Sequence, residues 1–286
     1  MSAAAAPSRP GALVRAQKRL DGSALYIFTG LAVVYLLLPV FVIILFSFND
    51  PAGKSNFVWQ GFTLEYWMDP LGVPGLANAV FLSLLIAFVS TIVATILGTL
   101  IGLALVRYEF SLRGATNALI FIPMATPEIV LGASLLTMFV SIGGPPFFPL
   151  SPVTILIAHI MFNISYVVVT VRARLTGFPR HLEEASMDLG ATEWTTFWKV
   201  TFPLILPGIV AAALLAFSLS IDDFVITNFT AGKTQTFPMF IYAKYRIGIP
   251  VEVNVIGTII FLVAVGTVGI TTLARIRADA RARRSL

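Results

Sequence analysis

Six long apolar stretches alternate with polar intervals along this chain. They run from Leu25 to Phe46, Asn78 to Val106, Asn117 to Val140, Val153 to Val171, Leu204 to Thr227 and Val253 to Leu273. Each is close to the roughly 20 apolar residues that a helix needs to cross a bilayer core. Backbone polar groups find no water there, so such spans fold as helices. The pattern predicts an all-α, polytopic membrane protein with six transmembrane helices. The fifth stretch is the least regular, because it contains Asp222 and Asp223.

Three polar intervals have content. The first, Ser47 to Ala77, holds Asp50, Trp59, Glu65, Tyr66, Trp67 and Asp69. Its aromatic residues fit an interfacial belt. The second, Arg172 to Phe202, contains a polar helix-forming segment. The third, Asn228 to Glu252, includes IYAKYRIGIP, whose mixed apolar and basic residues predict a short, partly embedded helix.

Composition supports the membrane reading. The chain is 57% hydrophobic and 12% charged, against about 25% charged in soluble domains. It has no cysteine, which excludes disulfides and thiolate metal sites. No cluster has metal-ligand spacing, so no metal is expected. The net charge of +5 does not call for nucleic acid, because its distribution reads as topology. With both ends in the cytoplasm, 15 of the 19 Lys and Arg fall on the inner side. The outer side keeps only Lys54, Lys233, Lys244 and Arg246. Basic residues are retained on the cytoplasmic face, so the bias predicts both termini inside. Arg9, Arg15, Lys18 and Arg19 precede the first span, which is too long for a signal-peptide core and reads as retained. The expected organisation is a cytoplasmic segment over 1–24, one transmembrane domain over 25–275, and a basic cytoplasmic tail over 276–286. The run Arg275 to Arg284 reads as an anchor among anionic headgroups.

The densest signal is EEASMDLGATEWTTFWKVTFPLILPG, Glu183 to Gly208. Leu182 to Leu189 has helical composition, with Glu183 and Glu184 in the first turn, where the helix dipole favours acids. Gly190 permits a left-handed turn. A second short helix follows, with Trp194, Phe197 and Trp198 near one face, and Pro203 and Pro207 mark the return into the membrane. Glu183, Glu184, Asp188 and Glu193 dominate the polar face. Anionic lipid would repel that face, whereas a protein groove suits it.

Glu184-Ala185-Ser186, three residues, Gly190-Ala191, five residues, Phe197, then Pro203 and Pro207, resembles the EAA loop of ABC-importer permeases. Ser186 stands where that family usually has Ala. The resemblance implies the type I importer permease fold, with the loop over about 178–203 as a coupling helix in a cleft of a cytoplasmic ATPase. Glu183, Glu184, Ala185, Asp188, Gly190 and Ala191 would contact or support that ATPase. It also implies two ATPase subunits carrying ATP and Mg, a second, related permease, an extracytoplasmic binding protein and a bacterial inner membrane. This chain is not expected to be an enzyme. Ala231-Gly232-Lys233-Thr234 imitates a phosphate loop, but Thr227 stands where the pattern needs its first Gly.

Three carboxylates lie within apolar stretches. Glu128, about 11 residues into the third span, is placed roughly 17 Å from its inner end by helical rise. Asp222 and Asp223 fall in the outer part of the fifth. Charges at such depth are costly and face a bundle interior or a wet pathway. Two readings stand for each: a site for a cationic substrate, or hydrogen bonding between helices. Neighbouring residues differ by about 100° on a helix, so Asp222 and Asp223 point in different directions. SLSIDDFVI, IPVEVN and ATPEIVLGASLL are similar to segments of the spermidine/putrescine permease subfamily. That resemblance implies a polyamine, a small polycation, as substrate.

Weaker features remain. His159 and Asn163 share a face of the fourth span, for interhelical hydrogen bonds or the pathway. Gly98 and Gly102 form a GxxxG for close helix packing. Tyr166 either stacks on a cation or packs. Two rival functions stay open: an ion-coupled secondary transporter using the buried acids, and an importer for another small solute.

Overall fold

The computed structural model describes residues 12–177 and 179–284. Arg9 with the rest of 1–11, position 178 at the start of the expected loop, and 285–286 of the tail lie outside the described residues. The described chain is helical throughout, apart from loops and one isolated bridge between Asn49 and Phe62. In chain order the helices are α1 (Ala12–Phe46), α2 (Glu65–Met68), α3 (Leu76–Arg107), α4 (Arg113–Ala125), α5 (Glu128–Ile142) and α6 (Pro152–Thr176). Then come α7 (His181–Asp188), α8 (Glu193–Thr196), a π-helical turn (Phe197–Thr201), α9 (Phe202–Ile221), α10 (Val225–Thr230), α11 (Phe237–Tyr245) and α12 (Val251–Arg284). All six predicted apolar stretches are helical, and three depart from the expected form.

The third is not one straight helix. α4 and α5 meet at a bend of 111°. Thr126 is extended (ψ 131°) and Pro127 follows with ψ 133°. Proline supplies no N–H and disfavours helix in the residue before it, so Thr126-Pro127 breaks the stretch. Glu128 therefore opens a new helix instead of lying within a continuous one. The fifth stretch starts earlier and ends sooner than expected. A continuous run Glu193–Ile221 includes the π turn, and Asp222 and Asp223 lie beyond its end. The sixth sits within α12, whose apolar part is Val251–Thr267.

The chain divides into two compact units, 1–72 with 247–286, and 73–246. In the first, α1 pairs with α12, and Cγ2 of Ile43 lies 3.5 Å from where a Cβ on Gly257 would be. The loop after α1 is tied by two buried asparagines. Asn49 Nδ2 donates to Asn56 Oδ1 (2.7 Å) and to Val58 O (2.8 Å). Asn56 Nδ2 donates to Phe46 O at 2.8 Å. Trp67 stacks on Phe48 at 5.1 Å and donates from Nε1 to Ser47 O at 3.1 Å.

In the second unit, α3, α6 and α9 form the core. The buried face of α3 includes Ser83, Ala87, Ser90, Ala94, Gly98 and Gly102. Small side chains let backbones approach closely where no hydrophobic effect drives helices together. A Cβ on Gly98 would stand 2.7 Å from Val167 Cβ, whereas at Gly102 it would meet ordinary contacts from 3.6 Å. The first glycine of the GxxxG is thus demanded by packing and the second only accommodated. Of the stretch IYAKYRIGIP, the first five residues are helical, as the end of α11, and Arg246 to Pro250 are not.

Candidate functional site

The EAA-like segment folds as a helical hairpin. α7 ends in a Schellman arrangement, in which Gly190 N–H donates to Met187 O (2.9 Å) and Ala191 N–H to Ser186 O (3.1 Å). Gly190 has φ +86° with nothing within 4 Å of its absent Cβ. Backbone conformation, rather than crowding, requires glycine here. Thr192 then caps α8, its Oγ1 accepting from Thr195 N–H. The ladder widens into the π turn ahead of Pro203, which lacks the N–H that an α-helical ladder would use.

α7 has two sides. Glu184, Ala185, Asp188 and Gly190 are exposed, and Leu189 at the tip is 90% exposed. Glu183 faces inward. It forms a bidentate pair with Arg107, the last residue of α3, with Arg107 Nη2 to Glu183 Oε1 at 2.6 Å. Thr201 in the π turn also donates to the Glu183 carboxylate. Ser186 Oγ lies 3.1 Å from Thr196 Oγ1. The hairpin is therefore joined to α3 by charge and to the π turn below α9 by the Thr201 hydroxyl, while Ser186 and Thr196 tie α7 to α8. Trp194, Trp198 and Phe202 form an aromatic ladder down the same root, with centroids 5.7 and 4.9 Å apart. Ala191 is half-buried behind the turn.

All three candidate carboxylates lie where helices are interrupted. Glu128 is in the first turn of α5 and is exposed. Asp222 caps the end of α9 and is exposed. Asp223 is 7% exposed at its side chain. Its Oδ2 accepts from Thr227 N and Thr227 Oγ1, both at 2.7 Å, and Oδ1 accepts from Ile226 N at 3.3 Å. The two aspartates do point differently, because the helix ends at Ile221, just before them, and not because a regular helix rotates them apart. α10 packs on α5, where a Cβ on Gly132 would meet Phe229 Cδ2 at 2.6 Å.

Asp223 belongs to a buried polar network. His159 Nε2 lies 3.3 Å from Asp223 Oδ2 and 2.9 Å from Thr227 Oγ1. Nδ1 lies 2.6 Å from Ser220 Oγ, which is 3.0 Å from Ser90 Oγ. Thr227 Oγ1 donates to Asp223 Oδ2, so toward Nε2 its oxygen is the acceptor. One network thus links α3, α6, α9 and α10. Asn163, expected to bond between helices beside His159, is fully buried with neither amide atom hydrogen-bonded.

The partners Arg107, Thr201, Ser220 and Thr227 are not legible in sequence. Arg107 and Glu183 are 76 positions apart, and only folding joins them. In the other unit, the Tyr66 phenol is pushed up by burial and then by Asp50, Glu252 and Glu65, which marks an acidic loop face. Among the described residues, no three His, Asp or Glu side chains converge to hold a metal.

Known proteins resemble this chain in sequence and in fold. The chain is 35% identical over 241 residues to the spermidine/putrescine transport system permease protein PotC of Haemophilus influenzae, covering 84% of this chain and 91% of that one. It is 37% identical over 244 residues to the putrescine transport system permease protein PotI of Escherichia coli, covering 84% and 85%. Its fold matches a bacterial ABC transporter involved in alginate import, with TM-score 0.65 at 16% identity over 89% of this chain and 97% of that one. It also matches the MetNI methionine ABC transporter, with TM-score 0.55 at 20% identity over 70% and 94%. The fold is that of a type I importer permease. Residues 94–284, which carry the hairpin and all of the buried network except Ser90, match the model of the binding-protein-dependent transport system inner membrane component, and the chain belongs to that family.

Proposed function

We propose that this chain is the permease subunit of an ATP-driven importer that takes up polyamines. The observation that carries the reading is the hairpin: an exposed tip at Leu189-Gly190, held from behind by Glu183 on Arg107 and Thr201. The names of the relatives at 35–37% identity supply the substrate class. The rival ion-coupled carrier has no use for such a hairpin.

The mechanism follows from the joints. One of two ATPase subunits, which carry ATP and Mg, takes the exposed face of α7 in a groove. This chain offers one hairpin, so a second, related permease supplies the other. Closure of the ATPases pushes α7, and the push enters α3 through Arg107, the π turn below α9 through Thr201, and α8 through Ser186 on Thr196. The 20 residues of α9 carry it about 30 Å to Asp222 and the interruption beside it. A rigid lever therefore connects the ATPase groove to the candidate substrate carboxylates. Glu128 and Asp222, exposed at helix interruptions, attract a polycation released by an extracytoplasmic binding protein. Asp223 holds the interruption in shape through His159 and Thr227. Attraction must stay weak enough for release. The Lys and Arg distribution supports both termini and the hairpin facing the cytoplasm, with 25–275 as one permease domain.

The test is reconstitution with co-purified ATPase and binding protein in vesicles. Uptake of labelled putrescine or spermidine should require ATP and the binding protein. Uptake without any ATPase, or none of either polyamine while another solute is carried, rejects the reading.

A further inference from the structure

A cavity of about 430 Å³ opens beside the root of the hairpin. Four arginines line it: Arg107 from the end of α3, Arg113 from the start of α4, Arg172 from the last turns of α6, and Arg180 just before α7. Buried Leu105 and Leu175 form an apolar wall. Among the described residues no carboxylate lines it. Glu183 answers Arg107 from outside the lining. Arg172 donates to the neutral Asn117 Oδ1 at 2.6 Å, and Arg180 reaches Val106 O at 3.4 Å. The cavity is strongly cationic.

We propose that this cavity is a phosphate site, occupied by the headgroup of an anionic phospholipid. Three observations favour that occupant. Guanidinium forks match phosphate oxygens in pairs. The arginines sit at the ends of apolar spans, the level at which headgroups lie. The leucine wall and the volume exceed what a bare phosphate can fill but suit a phosphoglycerol group with its first acyl carbons. A bound headgroup would lie against the joint between Arg107 and Glu183, so lipid composition would set how firmly the hairpin is held.

The experiment is native mass spectrometry of the full chain, purified in detergent with whatever subunits accompany it. It is titrated with phosphatidylglycerol, phosphatidylcholine, glycerol 3-phosphate or inorganic phosphate. Phosphatidylglycerol should be retained preferentially, and its affinity should fall about fivefold for each arginine removed in Arg113→Gln and Arg113→Gln/Arg180→Gln. The single variant leaves the pairs of Arg107 with Glu183 and Arg172 with Asn117 in place, so it covers failure of the double variant to fold. Equal retention of the two lipids, or unchanged retention in Arg113→Gln, overturns the site. Binding of glycerol 3-phosphate or inorganic phosphate as tight as that of phosphatidylglycerol overturns the lipid assignment.

Discussion

Glu183 and Arg107 close a two-pronged ion pair between α7 and the end of α3, with the longer prong at 2.6 Å. Their side chains are 13% and 20% exposed. At that burial the pair is more than surface decoration, because removing one partner strands the other's charge. It fixes the direction in which a force on α7 enters the bundle.

Glu183→Gln should therefore loosen the hairpin by about 3 kcal/mol, the lower end for a buried pair. Polyamine uptake should fall steeply while the chain still inserts. ATP hydrolysis by the assembled complex should persist, so the ratio of molecules transported to ATP hydrolysed is the measurement. An unchanged ratio would show that the joint carries no force.

Gly190 offers a cleaner test, because nothing crowds it. A side chain in the left-handed region costs about 1–2 kcal/mol, and asparagine tolerates that region better than β-branched residues. Gly190→Asn should retain most uptake, and Gly190→Val should lose it with normal amounts in the membrane. Equal activity of the two variants would show that the turn's conformation is irrelevant to transport.

The carboxylates should separate by role. Glu128→Gln and Asp222→Asn should each raise the KM for putrescine roughly tenfold, the equivalent of about 1.5 kcal/mol for a charge-assisted contact. Thermal stability in detergent should hardly move. Asp223→Ala should do the reverse, losing about 1–3 kcal/mol of stability as His159 and the α10 N–H groups lose their acceptor. A raised KM with unchanged Tm for Asp223→Ala would reassign it to the substrate.

Gly98→Ala tests the core. The added methyl meets Val167 Cβ at 2.7 Å and Ile164 O at 3.2 Å, and overpacking of this kind costs about 1–3 kcal/mol. Gly102→Ala meets nothing closer than 3.6 Å and should be nearly neutral. A thermal melt of the two purified variants decides the point, with equal melting temperatures counting against the close α3–α6 crossing.

The bend at Thr126-Pro127 was legible in principle, since the proline rule is local. Counting apolar residues across the stretch concealed it. The end of α9 was less legible: Ile221-Asp222-Asp223 carries no proline or glycine, and Asp223 breaks the helix by capping the next one.

The sequence by itself determined the helical class, the apolar stretches and the hairpin with its glycine turn. Each rests on local physics: hydrocarbon length, backbone satisfaction and the left-handed conformation. Only the tertiary structure decided that Glu183 serves inward on Arg107 while Glu184 faces out, and that Asp223 is spent on His159 and Thr227 while Asp222 stays open. The pairs of Glu183 with Arg107 and of Asp223 with His159 join residues scores of positions apart within 3.3 Å, and a one-dimensional pattern does not encode such a distance.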